Sequence, residues 1–353
     1  MPPHSDAPSP AGSFSSQLYN HSQWHSSNGN HNFISDSSSS ASADNRLDDE
    51  QHIKRPLTPG VYVPTMCFFD PDTEDVDTAA IAAHAVRLAQ AGVTGLATQG
   101  SNGEAVHLSH SERQLVTATT RAALNDGGFS HVPVIVGCGS QSTRETVQYC
   151  HEAWEAGGDY ALVLPPSYYA TLFAPASETI LEYFTRVADK SPIPIIIYNF
   201  PGAVGAWICV KLTCGNTGKL NRVAAATRKP SKYNPKEPEF LVLAGSADFL
   251  IPSLAGGGHG ILAGLANIAP RACIKTMELY LQGNVSEAQK MQEVVSQGDW
   301  TAIQGGVVGV KAGLQAWMGY GGFARSPLPR PDTEQTKRWR EGFRDLVMLE
   351  RSL

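Results

Sequence analysis

A lysine that closes a buried strand is the first place to look for chemistry, and Lys211 ends the apolar run Trp207-Ile208-Cys209-Val210. An ammonium ion among apolar neighbours is poorly solvated, so such a group loses its proton readily and becomes a nucleophile near neutral pH. The competing reading is a lysine that snorkels from the strand end to water. Tyr198 opens the motif Tyr198-Asn199-Phe200-Pro201 at the end of the preceding apolar run. A phenol beside a carbonyl carbon can relay protons while a carbinolamine forms and dehydrates, and can then act on an aldol oxygen. Taken alone it reads equally as a core tyrosine with a satisfied hydroxyl. A third group is Gly100-Ser101-Asn102-Gly103-Glu104. Two glycines permit a tight backbone, so amide donors, the Ser101 hydroxyl and the Asn102 amide can converge on one carboxylate, although Gly, Ser and Asn are also ordinary turn residues. Amine, phenol and anion cradle together describe imine chemistry on a 2-oxo acid.

These groups meet only if several strands end on one rim. Short apolar runs alternate with helical patterns, the mark of parallel βαβ units. The predicted strands are Val61 to Phe69, Thr94 to Thr98, Val132 to Gly137, Tyr160 to Leu164, Ile193 to Asn199, Trp207 to Lys211, Phe240 to Ala244 and Gly260 to Ala263. Helix starts are marked by capping boxes at Ser109 to Glu112 and Ser142 to Glu145, and helix stops by Gly92 and Gly157. Eight such units predict a (β/α)8 barrel, whose active sites lie at the C-terminal ends of the strands. A doubly wound open sheet is the main competitor, and the absence of G-x-G-x-x-G after the first strand counts against its dinucleotide-binding form. After the eighth strand the pattern is helical: Arg271 to Gln282, Ser286 to Ser296, Thr301 to Trp317 and Thr333 to Leu349. The division is therefore a Ser/His/Asn-rich tail over 1–55, expected to be disordered, a barrel over 56–270, and the last barrel helix with C-terminal helices over 271–353.

One connection is too short for its unit. Only Pro201 to Ala206 separate Phe200 from Trp207, whereas a parallel crossover with its helix needs at least about 10 to 12 residues. The fifth barrel helix is expected to be missing, leaving one flank of the barrel without its cover.

Charge and cysteine usage narrow the partners. A net charge of -6 with interspersed signs supplies no basic field for nucleic acid or an anionic membrane, and no apolar run approaches a membrane span. The expected partner is a small molecule. The first basic residue after the initial Met is Arg46, which matches neither a mitochondrial presequence nor a secretory signal, and Cys67, Cys138, Cys150, Cys209, Cys214 and Cys273 form no CxxC pair. A cytoplasmic location follows as the expectation. His84, His107, His110, His151 and His259 have neither HxH nor HExxH spacing, so no metal is expected, and Lys311, in a helical pattern of small residues, reads as structural.

Five motifs occur in an order that carries a resemblance. Gly100-Ser101-Asn102-Gly103-Glu104, Pro165-Pro166-Ser167-Tyr168-Tyr169, Tyr198-Asn199-Phe200-Pro201, the stretch from Val210 to Asn216, and Gly257 to Ile261 follow one another as in the dihydrodipicolinate synthase and N-acetylneuraminate lyase family, over about residues 58 to 350. The resemblance implies a TIM barrel, a pyruvate Schiff base without metal or cofactor, and a homotetramer that is a dimer of dimers. By position, Lys211 would form the imine and Tyr198 would be the acid/base. Ser101 and Asn102, framed by Gly100 and Gly103, would hold the 2-oxo acid carboxylate. Tyr168 would complete a hydroxyl relay across the dimer interface, with Tyr169 the weaker candidate of the pair, and Gly245 and Ile261 would line the pyruvyl pocket. The synthase branch usually carries an arginine shortly after Y-N-x-P; here that stretch reads Gly202-Ala203-Val204-Gly205. This departure, with Asn102 in the rim motif, resembles the 4-hydroxy-2-oxoglutarate aldolase and fungal 2-keto-3-deoxy sugar acid aldolase branch. The implied reaction is retro-aldol cleavage to pyruvate and an aldehyde. Two alternatives stay open: a catalytically silent barrel with a binding or regulatory role, and a dihydrodipicolinate synthase-type condensing enzyme.

Overall fold

Eight short strands form the centre of the molecule: β1 (Gly60–Pro64), β2 (Gly95–Thr98), β3 (Val134–Gly137), β4 (Tyr160–Val163), β5 (Ile195–Asn199), β6 (Cys209–Leu212), β7 (Leu241–Ala244) and β8 (Gly260–Leu262). Each pairs in parallel with the next, and β8 pairs with β1, which closes the barrel predicted from the sequence. The coordinates are a computed structural model describing residues 55–173, 177–199, 209–229 and 240–353. The 1–54 part of the serine-rich tail and the short connection at Pro201 to Ala206, where a missing fifth helix is expected, lie outside the described residues.

Strand starts differ from expectation where proline intervenes. Pro133 and Pro194 accept ladder bonds from Leu96 and Ala161 through their carbonyls but have no N–H to donate, so β3 and β5 begin just after them, two residues later than expected. The first predicted strand overruns in the other direction. Its ladder stops at Pro64, and the buried run Thr65 to Phe69 continues as loop.

The side-chain alternation of the strands sorts the core into two layers. Tyr62, Ala97, Ile135, Leu162, Ile196, Tyr198, Leu243 and Leu262 fill the barrel interior. Val63, Leu96, Val136, Ile197, Val210, Leu212, Ala244 and Ile261 belong to the layer between strands and helices.

The covering helices are α1 (Thr78–Gln90), α2 (His110–Asp126), α3 (Thr143–Glu155), the short α4 (Ala170–Phe173), α5 (Ser177–Lys190), α6 (Thr217–Ala226), α7 (Leu250–Ala255) and α8 (Pro270–Leu281). The Ser109–Glu112 capping box at α2 is complete. At α3 only half of the box forms: Ser142 accepts from the Glu145 amide, while the Glu145 carboxylate accepts the Ser140 hydroxyl instead. Gly92 and Gly157 take the left-handed conformation expected of helix stops.

The C-terminal helices are α9 (Val285–Met318), α10 (Thr333–Gly342) and α11 (Arg344–Ser352). The predicted break between Ser296 and Thr301 is absent. Leu346 packs directly over Gly298, and Asp299 accepts three hydrogen bonds, so tertiary contacts hold that turn helical against its low propensity. The interruption falls at Gly306 instead, with φ 54° and ψ −150°. The single helix predicted over Thr333 to Leu349 divides at Phe343, which is fully buried and packs against Gly313.

Candidate active site

The register of β5 and β6 sets Tyr198 directly beside Lys211. Val210 and Leu212 face the helices, so Lys211 between them faces the interior, as Tyr198 does from β5. Lys211 is 4% exposed and its Nζ lies 4.2 Å from the centroid of the Tyr198 ring. Burial pulls the Lys211 amine below the usual lysine range, and the charge and hydrogen bond of Tyr198 only partly oppose this. Tyr198 lies below the usual phenol range. Burial alone would raise it, but the Lys211 charge and the polar groups of Thr213, Ser101 and Lys211 nearby outweigh that effect. An amine and a phenol that both give up protons more easily than in water can pass one between them.

Ser101, on the rim turn after β2, is near enough to Tyr198 to help lower its phenol below the usual range. Within the turn, the amides of Gly103, Glu104 and Ala105 donate back to the carbonyls of Gly100 and Ser101. Those three amides are thus spent inside the turn. Asn102 is half-buried, with its Nδ2 3.9 Å from the Met66 sulfur, and Gly264 leaves it room: a Cβ there would fall 2.7 Å from Asn102 Nδ2. Of the two turn glycines, Gly103 is required sterically, because a Cβ would lie 3.0 Å from the Thr65 carbonyl, whereas nothing crowds Gly100.

Neither glycine takes the left-handed conformation. It falls on the flanking Gln99 and Glu104, with φ 47° and 51°, a strain of about 1–3 kcal/mol per residue that the surroundings must hold. Gln99 is held by hydrogen bonds from its Nε2 to the Arg113 carbonyl, 2.6 Å, and the Thr117 hydroxyl, 2.9 Å. Glu104 is held by Lys311, whose Nζ is 2.6 Å from Oε1. Lys311 thus sits in a buried ion pair, with a partner that sequence inspection does not reveal.

The remaining candidates separate. Gly245 follows β7, donates its amide to the Leu212 carbonyl at 2.8 Å, and leaves space for Thr213, whose Oγ1 would be 2.2 Å from a Cβ. It sits beside Leu212 and Thr213, the two residues that follow Lys211. Ile261 is fully buried, but its side chain packs in the outer layer, so only its backbone can face the interior. Tyr168 is 80% exposed on the single chain; its amide donates to Gln141 and its ring meets Tyr169 edge-on at 5.0 Å.

Sequence reading missed two further supports of the rim. Asp299 on α9 accepts from the Ser246 hydroxyl and the Ala247 and Asp248 amides, fixing the loop after β7. Asn267 bonds to the Pro64 and Gly264 carbonyls and the Met66 amide, and is fixed by His84 at 2.9 Å. The buried His84, pulled by desolvation to about 3, stays neutral, accepting from Tyr320 and donating to Asn267. A buried helical Asp and a loop Asn show no spacing signal that separates them from ordinary polar residues.

A closed parallel barrel with a buried lysine and a tyrosine paired at adjacent strand ends defines the class: a (β/α)8 barrel with an amine and a phenol side by side in its interior. Residues 58–346 match the model of the dihydrodipicolinate synthetase family. The Emericella nidulans protein named "probable 4-hydroxy-2-oxoglutarate aldolase, mitochondrial" is 50% identical over 85% of this chain and 98% of its own length. The L-threo-3-deoxy-hexylosonate aldolase of Aspergillus niger is 45% identical over 84% of this chain and 98% of its own. A crystal structure of a dihydrodipicolinate synthase family protein from Coccidioides immitis superposes with a TM-score of 0.74 at 30% identity, covering 85% of this chain and 99% of that one. The chain belongs to the dihydrodipicolinate synthetase family.

Proposed function

We propose that this protein is a Schiff-base carbon–carbon lyase that cleaves 4-hydroxy-2-oxoglutarate or a 2-keto-3-deoxy sugar acid to pyruvate and an aldehyde. The observation that carries the reading is the amine of Lys211, buried inside the barrel with a phenol rather than a carboxylate as its neighbour. The names of the fungal relatives support the substrate class.

In this mechanism the neutral Lys211 amine attacks the C2 ketone while Ser101 and Asn102 hold the C1 carboxylate. Tyr198 delivers the proton that lets the carbinolamine lose water, giving an iminium ion. Tyr198, left as a phenolate, then takes the C4 hydroxyl proton as the C3–C4 bond breaks; the electron pair of that bond moves into the iminium to give an enamine, and the aldehyde leaves. Protonation at C3 and hydrolysis release pyruvate and restore the amine. The stretch Gly202-Ala203-Val204-Gly205 offers no cation for a second carboxylate, which disfavours dihydrodipicolinate-type condensation and, of the two cleavage substrates, favours the 2-keto-3-deoxy sugar acid, because 4-hydroxy-2-oxoglutarate carries a second carboxylate at C5.

Tyr168, 80% exposed on the single chain, is assigned to a neighbouring subunit's relay within a homotetramer built from tight dimers. Light scattering that returns a monomer would remove that role. Cys67, Cys138, Cys150, Cys214 and Cys273 are unpaired, which fits a reducing compartment, and we place the protein in the cytoplasm. The word mitochondrial in a relative's name makes cell fractionation the direct check.

A pyruvate-release assay over 4-hydroxy-2-oxoglutarate and a panel of 2-keto-3-deoxy acids tests the activity. Release from at least one is expected. Failure on all of them, with no adduct on Lys211, would favour the silent barrel, which the short connection after β5 motivates.

A further inference from the structure

The turn proposed to receive the substrate carboxylate is anchored from outside the barrel at both of its strained ends. Gln99 is tied to α2. Glu104 is tied to the C-terminal region: Oε1 accepts from Lys311 Nζ on α9, and Oε2 accepts the Arg325 amide at 2.9 Å and lies 3.1 Å from His107 Nδ1. Lys311 is fully buried, donates a second bond to the Phe323 carbonyl at 2.9 Å, and sits 4.5 Å above the Phe69 ring. Glu104, 3% exposed, spends both oxygens on these partners.

A left-handed glutamate has an alternative right-handed basin that its backbone prefers when nothing holds the side chain. Moving there rotates the peptide units that precede it, and those units carry Asn102 and Ser101. We propose that the Glu104–Lys311 pair is a positioning device for carboxylate recognition, holding Ser101 and Asn102 in the orientation that selects ketones bearing a neighbouring carboxylate. Glu104 and Lys311 are positioning residues, acting through the turn. The inference rests on Lys211 being the imine-forming amine.

The test uses the full chain and two probes, pyruvate and acetone, which share a methyl ketone and differ in the carboxylate. Cyanoborohydride trapping on Lys211 is measured against the concentration of each, for the wild type, Glu104→Gln, and Glu104→Gln combined with Lys311→Met. The ratio of the two half-saturation concentrations reports carboxylate recognition. In both variants the preference for pyruvate is expected to fall at least about tenfold, the size of one lost charge-assisted hydrogen bond, while half-saturation by acetone stays near wild type. The single variant leaves an unpaired buried amine. If its melting transition is lost, the doubly neutral variant carries the test. An unchanged ratio in a folded variant, or equal losses for both probes, would overturn the proposal and leave the pair a purely structural ion pair. Trapping of neither ketone by the wild type would instead overturn the reading of Lys211, and with it the ligand this pair is proposed to serve.

Discussion

Two buried lysines in this molecule have opposite surroundings. Lys311 points at the carboxylate of Glu104, 2.6 Å away, and keeps a counter-charge in a site from which water is excluded. Lys211 points at the ring of Tyr198. Burial pulls both amines below the usual lysine range, but at Lys311 a full negative charge opposes the pull, whereas at Lys211 only a phenol does. The same residue type is thus a structural cation in one place and a candidate nucleophile in the other, and the neighbour decides which.

Exchanging each lysine for methionine should separate the two roles. Lys211→Met is expected to lower lyase activity by roughly 10^4- to 10^6-fold, the scale of removing a covalent nucleophile, in a kcat measurement. Its melting temperature should hold or rise, because a buried amine has been removed. Tyr198→Phe keeps the packing and removes the proton carrier; kcat should drop by about 10^2- to 10^4-fold with the fold intact by circular dichroism. Lys311→Met strands Glu104 without its counter-ion and should cost about 3–5 kcal/mol of stability in urea titration, with most of that recovered when Glu104→Gln is added. Equal stability losses at the two lysines would break the comparison.

The comparison also has a pH signature. A lysine depressed in the folded state leaves the native protein with fewer bound protons than the unfolded chain between its folded pKa and 10.5. Stability should therefore rise with pH across that window, and Lys211→Met should flatten the rise. The rate of imine trapping should climb with pH in the wild type, with a midpoint below 10.5, because only the neutral amine attacks.

Much of this arrangement is legible in the sequence because barrel strands are short, apolar and bounded by Gly and Pro. A residue at a strand end is also at the catalytic rim, so Lys211, Tyr198 and the Ser101 turn announce themselves by position. Their inward orientation is not legible. A one-residue slip would turn Lys211 toward the helices, and only the pairing of Tyr198 with Lys211 fixes it. The anchors of the rim are hidden for a different reason. Lys311 lies 207 residues from Glu104, and glutamine and glutamate carry no sign that their backbones will be left-handed. Helix boundaries in the C-terminal region failed where packing on Gly298 and hydrogen bonds to Asp299 overrode local propensity.

The proposed chemistry depends on one covalent event. The protein is incubated with pyruvate and cyanoborohydride, digested, and its peptides are mapped by mass spectrometry. A single reduced pyruvate on the Lys211 peptide, with Lys311 unmodified, is the expected result. An adduct on Lys311 or on surface lysines without one on Lys211 would contradict it.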